Sequence, residues 1–171
     1  MVEIPKFHEF MTPLLLVLKE NGEMYRNDAF DATIEKVGLT DEQKAVIRES
    51  TGRSVARERV GWASSYLKQA GGLIRPKRGY MCLGPNADDF LSLERLLTVA
   101  DIKKTKEWQA IHNARQASKN EDIYDSANEQ ENDTPQDLID KGIKRLNSQL
   151  IGDLIDCLLY TSDAADDLWC V

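Results

Sequence analysis

The stretch RERVGWASSYLKQAGGLIRPKRGYMCLG, residues 57–84, constrains the fold most tightly. Ala56, Val60, Ala63, Leu67 and Ala70 follow one another at spacings of 4, 3, 4 and 3, which sets a single apolar stripe along a helix. That helix is predicted over 55–70, with Ser54 as its N-cap and Gly71-Gly72 as its stop, where left-handed backbone is easy. Val55, Arg59, Trp62 and Tyr66 flank the stripe on one side, with Trp62 and Tyr66 read as packing residues rather than base-stacking ones. Arg57, Gly61, Ser64 and Lys68 repeat with the same period as a separate, outward polar stripe. LIR and YMCL then read as two strands joined by the turn Pro76-Lys77-Arg78-Gly79, a basic hairpin tip.

Charge is segregated along the chain. Formal net charge is −7 over 171 residues, yet between positions 53 and 79 stand Arg53, Arg57, Arg59, Lys68, Arg75, Lys77 and Arg78 against Glu58 alone. From 121 to 137 the order reverses: Glu121, Asp122, Asp125, Glu129, Glu131, Asp133 and Asp137 occur with no Lys or Arg. A global sum hides such local fields, and a focused basic region inside an acidic protein marks where a polyanion can dock.

Upstream, Phe7, Phe10, Leu14, Val17 and Leu18 predict a helix over 6–21, bent at Pro13 and stopped by Asn21-Gly22. Met24-Tyr25 reads as a short extended piece. A second helix over 27–37 turns Ala29, Phe30, Thr33, Ile34 and Val37 inward and ends at Gly38. Thr40 and Gln43 form a capping box for a short helix over 41–49. Three helices followed by a basic hairpin give the expected fold class: mainly α with a small β-hairpin, a winged helix-turn-helix followed by helical segments. Residues 89–117 read as broken helix, with Phe90, Leu93, Leu96, Leu97, Ile102, Trp108 and Ile111 buried. Residues 118–133 read as a flexible acidic linker. Thr134-Pro135 restarts a helix whose stripe Ile139, Ile143, Leu146, Leu150 and Leu154 has nothing downstream to cover it.

Other chemistry is thinly represented. Glu42-Gln43-Lys44 matches an E-x-K element, with Asp28 or Asp31 as an upstream acid, but these fall on predicted helix surfaces rather than on adjacent strands around a metal ion. His8 and His112 lack partners at metal-ligand spacing, and no phosphate-cradling loop or nucleophile elbow occurs. Cys82, Cys157 and Cys170 are an odd set that suits a reducing cytoplasm, with Cys82 read as a small buried residue. No export signal opens the chain, and its longest apolar run, at 14–18, is too short to span a membrane.

A helix carrying outward polar side chains fits the DNA major groove, and a wing reaches the neighbouring backbone. The expected partner is therefore double-stranded DNA, contacted by Arg53, Arg57, Gly61, Ser64, Lys68, Arg75, Lys77 and Arg78. Gly61 admits close approach, Arg57 reaches a base edge or a phosphate, and Lys77 and Arg78 hold phosphates. Two other readings stay open. One is a free-standing winged-helix transcription regulator, a homo-oligomer joined through the 136–156 helix; the other is a protein-interaction winged helix using Trp62 and the wing.

FHEFMTPLLLVLKENGE, GLTDEQ and RERVGWASSYLKQAGGLIRPKRGYMCL resemble the N-terminal domain of Mrr-type restriction endonucleases over about residues 5–93. The linker and TPQDLIDKGIKRLNSQLIGDLID resemble the junction to that family's nuclease domain. The resemblance implies a DNA-binding module for a PD-(D/E)xK nuclease that uses Mg²⁺ to cut foreign, usually methylated, DNA. No catalytic or metal-binding residue of that nuclease maps onto this chain, so no cofactor is expected here. The expected organisation is a winged-helix domain at 5–93, a helical extension at 94–117, the linker at 118–133 and the start of a nuclease domain at 134–156. The segment CLLYTSDAADDLWCV, 157–171, resembles a translated sequencing adapter and is expected to be a non-native tail. Without its three aspartates the formal charge falls from −7 to −4.

Overall fold

The computed structural model describes residues 3–93, 95–117 and 133–166. The chain divides into two units, Met1–Thr134 and Pro135–Val171. In the first, a 3₁₀ turn at Phe7–Phe10 runs into α1, Met11–Asn21. Pro13 falls in the first turn of α1, where a missing N–H removes no intrahelical bond, so the tight turn before the helix takes the place of the predicted bend. Next come β1 (Met24–Tyr25) and α2 (Arg26–Val37), which closes on Gly38.

Helix α3, Asp41–Ala45, carries the expected capping box. Thr40 Oγ1 accepts from the Gln43 amide at 3.2 Å, and Gln43 Oε1 accepts from the Thr40 amide at 2.9 Å. It ends four residues earlier than the predicted 49. Val46 is already extended, and Ile47 bridges antiparallel to Ser54, as suits two β-branched residues. Ser54 occupies the N-cap position of α4, Val55–Gln69, without a side-chain capping bond.

After α4, β2 (Leu73–Ile74) and β3 (Tyr80–Leu83) pair antiparallel in the register Leu73↔Leu83 and Ile74↔Cys82. β1 lines the other edge of β3, with Met24↔Met81 and Tyr25↔Tyr80. The predicted hairpin is thus two-thirds of a three-stranded antiparallel sheet of order β1-β3-β2. At its base Gly84 N–H donates to Gly72 O at 2.9 Å. There the backbones lie so close that a Cβ on Gly84 would fall 2.2 Å from Gly71 O.

All five residues of the α4 stripe are fully buried, in one cluster with Phe10, Met11, Leu14, Leu15 and Leu18 of the N-terminal helical segment and Ala29 and Phe30 of α2. Three of the five are alanines, which let α4 pack against the 3₁₀ turn, α1 and α2 together. Each large apolar side chain so buried stabilises the unit by about 1.5–3 kcal/mol.

Helices α5 (Ala87–Leu91), α6 (Val99–Lys103) and α7 (Lys106–Ala117) complete the described part of the unit. Phe90, Leu97, Ile102 and Trp108 are buried as expected, but Leu93 and Leu96 are exposed. Helix α5 stops before them, and the chain that follows is fixed at Leu97 instead, whose N–H donates to Thr12 Oγ1 at 3.0 Å. Trp108 docks α7, its ring 5.1 Å from that of Tyr66, which in turn lies 4.9 Å from Phe7.

The second unit is described over one helix, α8, Pro135–Asp166, with Pro135 in its first position as expected. Ile139, Ile143, Leu146, Leu150 and Leu154 are all exposed, as are Ile151 and Ile155. The helix runs through Cys157 without interruption, into the segment set apart on sequence grounds. Of the predicted linker, 118–132 lie outside the described residues, as do 167–171 of the tail. No described helix is long and apolar enough to cross a membrane.

Candidate nucleic-acid interface

Around α4, successive residues advance by about 100°. Arg57 and Lys68 come just past the buried stripe and are exposed, while Gly61 and Ser65 follow further round and are half-buried. Ser64 does not belong to this open face. It lies only about 40° beyond Val60, one turn on, and is fully buried. Its hydroxyl accepts a 3.4 Å hydrogen bond from Arg75 Nη2, so the start of the hairpin tip is tied to α4. The expected direct DNA contact at Ser64 is therefore corrected to a support for Arg75.

Arg57 is held by α2. Its Nε donates to Asp31 Oδ1 at 3.0 Å, and its Nη2 lies 2.6 Å from both Asp31 oxygens. Gly61 faces the same helix: an added Cβ would meet Phe30 at 3.7 Å, an ordinary contact. Arg59 points elsewhere, its Nη1 donating to the carbonyls of Ile4 and Pro5, which fastens the N-terminal segment rather than presenting charge.

Glu58, the only acid of the basic stretch, is withdrawn from the surface. Its Oε2 lies 2.6 Å from Arg48 Nε in a pair whose side chains are 6% (Arg48) and 15% (Glu58) exposed, and its Oε1 accepts from Thr51 Oγ1 at 2.9 Å. The one anion within the basic stretch of sequence is thus neutralised internally. Arg53, Lys68 and Arg78 are exposed and have no ion-pair partner among the described residues.

At the tip, Lys77 Nζ lies 2.8 Å from Glu23 and 3.9 Å from the centroid of Tyr80, whose ring meets Tyr25 edge-on. The hydrogen bond to Glu23 raises the Lys77 pKa above its ordinary value. Gly79 takes φ 83°, a backbone that turns the tip back into β3. The exposed Lys77–Glu23 pair contributes little to stability, so Lys77 can exchange its carboxylate for a phosphate at low cost.

Glu42 and Lys44 sit on the short α3, while Asp28 and Asp31 lie on α2. Gln43 between them is occupied by the capping box and by Glu3 O, 2.7 Å from its Nε2. Among the described residues no three His, Cys, Asp or Glu side chains gather as a metal site, so no step through Mg²⁺ is derived for them. His112 stacks on Trp108 at 4.4 Å, and Cys82 is a half-buried free thiol.

Asp31 and Glu23 were not anticipated as partners of the basic face. Asp31 is 26 residues from Arg57, and no local spacing signals such a contact. Ser65 carries only a weak signal, lying between the polar stripe and Trp62.

Residues 7–92 match the family profile of the Mrr N-terminal domain. Over 168 aligned residues the chain is 27% identical to the type IV methyl-directed restriction enzyme EcoKMrr of Escherichia coli (strain K12), covering 93% of this chain and 54% of that enzyme. The chain thus spans about half the length of this curated relative. No solved structure matches it. The elements from α1 to α5, with the sheet and the basic tip, fall within the matched segment, and the chain belongs to the Mrr N-terminal domain family.

Proposed function

We propose that residues 5–93 form a winged helix-turn-helix that binds double-stranded DNA on behalf of an Mrr-type restriction endonuclease. The element order α1-β1-α2-α3-α4-β2-β3 and strand order β1-β3-β2 support this reading. In it α4 is the recognition helix and the β2–β3 tip the wing. One observation carries it furthest: the Arg75–Ser64 hydrogen bond joins tip and helix, so the two basic elements act as one surface. Arg53, Lys68 and Arg78 meet phosphates, Lys77 leaves Glu23 to do the same, and Arg57 approaches the base edges. The name of the relative supports methylated DNA as the target. Cutting, with its Mg²⁺, belongs in this reading to a nuclease domain of a longer protein, of which the part of α8 up to residue 156 is the first helix.

Titration of labelled duplexes, methylated and unmethylated, between low and moderate salt tests the proposal. Lys77→Ala and Arg78→Ala are each expected to weaken binding to every duplex and to flatten the dependence of log K on log salt by about 0.9. Wild-type affinity in both variants at every salt concentration overturns the DNA reading in favour of a protein partner. A second reading rests on seven exposed Ile and Leu residues among those described in α8: a regulator that dimerises through this helix, which sedimentation of the intact chain distinguishes.

A further inference from the structure

We infer that Asp31 is the specificity-determining partner of Arg57, fixing its guanidinium so that the outer edge reads guanine while its charge is withheld from phosphate. The inference rests on the DNA reading above and names what that site selects.

Asp31 occupies one edge of the guanidinium, through Nε and Nη2. Nη1 has no hydrogen-bond partner among the described residues, and the two side chains are 44% and 57% exposed. What remains is the end-on edge, where Nη1 and the second N–H of Nη2 point outward as parallel donors. In the major groove guanine alone offers two acceptors, N7 and O6, on one edge at the matching separation; adenine sets a donor beside its N7. Arg57 is the third residue of α4, and the N-terminal residues of a recognition helix are those that reach base edges.

The carboxylate also decides what Arg57 avoids. A phosphate approaching the pair meets Asp31 as well, so the Coulomb attraction is largely cancelled, whereas a neutral base edge meets a fork already held in place. Arg53, Lys68 and Arg78, with no carboxylate partner among the described residues, keep their attraction for phosphate. Lys77 has a carboxylate partner but presents a point charge with no fork. Arg75 is planar too, but the group that holds it is the neutral Ser64 hydroxyl, so among the described arginines of the basic surface Arg57 alone is buttressed by a carboxylate.

The experiment passes a pool of short duplexes with a randomised centre over the intact chain, followed by salt titration of the retained sequences. Wild-type protein is expected to enrich guanine at one fixed position. Asp31→Asn, which keeps the shape but removes the charge, should bind all duplexes more tightly, steepen the salt slope by about 0.9 and lower the guanine enrichment roughly tenfold. Arg57→Lys retains the charge without the fork and should lose the enrichment too. Unchanged melting temperatures in both variants separate these effects from folding. Wild-type enrichment and salt slope in Asp31→Asn overturn the inference. Binding without any base preference in the wild type overturns it alone, and a wild type that retains no duplex overturns the DNA reading beneath it.

Discussion

Helices α4 and α8 are written in nearly the same apolar period and end in opposite environments. The α4 stripe, Ala56 to Ala70, is wholly buried, whereas the α8 stripe, Ile139 to Leu154, is roughly half exposed along its length. Periodicity therefore specifies that a face needs covering, not what covers it. Residue size carries the further information. Alanines in α4 allow three neighbouring segments to close on it, while the Ile and Leu of α8 stand out from the helix.

The largest effect expected from this contrast is in stability. Leu67→Ala should cost about 2–5 kcal/mol through the cavity it leaves, and Leu150→Ala should stay within about 0.5 kcal/mol, both read from urea unfolding midpoints. Equal losses would mean that the α8 stripe has a partner in solution.

Glycines sharpen the comparison on a smaller scale. Gly61→Ala and Gly152→Ala both replace a glycine inside a helix, so each should gain about 1 kcal/mol in helix propensity. The added methyl meets Phe30 at an ordinary distance in the first case and nothing within 4 Å in the second. If DNA backbone approaches α4 at Gly61, only Gly61→Ala should trade that gain for weaker duplex binding. Undiminished binding in Gly61→Ala removes the residue from the interface.

The smallest effect is a pH dependence confined to the first unit. Burial holds the imidazole of His8 below its ordinary pKa of 6.5, so the unfolded chain takes up the proton more readily than the folded one. The contribution of neutral His8 is thus complete above about pH 6.5 and is lost as the pH falls below it. Thermal unfolding between pH 7 and 5 should show a decline that His8→Phe reduces, with α8, which has no histidine, insensitive over the same range. An identical decline in His8→Phe assigns it to other groups.

What the sequence made legible was local. The α4 stripe, the capping box of Thr40 and Gln43 and the two strands around the basic tip follow from spacing and turn chemistry within a few residues, and all are present. What it did not make legible depends on approach between distant segments. Ser64 has the period of the polar stripe, but the returning hairpin covers it. Met24-Tyr25 is too short to declare a strand by itself and becomes one by pairing with β3. Leu93 and Leu96 look buried only if a helix continues through them. Of the candidate site, the basic residues could be named from the chain, but the acids that hold them, Asp31 and Glu23, come from α2 and from the turn before β1.

The crossing of backbones beneath the hairpin bears on how such a protein can vary. Position 84 has no room for a side chain, because the carbonyl of Gly71 occupies the place where a Cβ would stand. Anchored by that crossing and by the paired strands, the tip Pro76-Lys77-Arg78 is a replaceable cassette, set between Arg75, tied to Ser64, and Gly79, whose φ of 83° suits glycine. Its exposed residues can change in charge and length while its root keeps the same bearing toward α4. Diversification of what the surface recognises can therefore concentrate in a few tip positions and the outer face of one helix, with the core sequence left untouched.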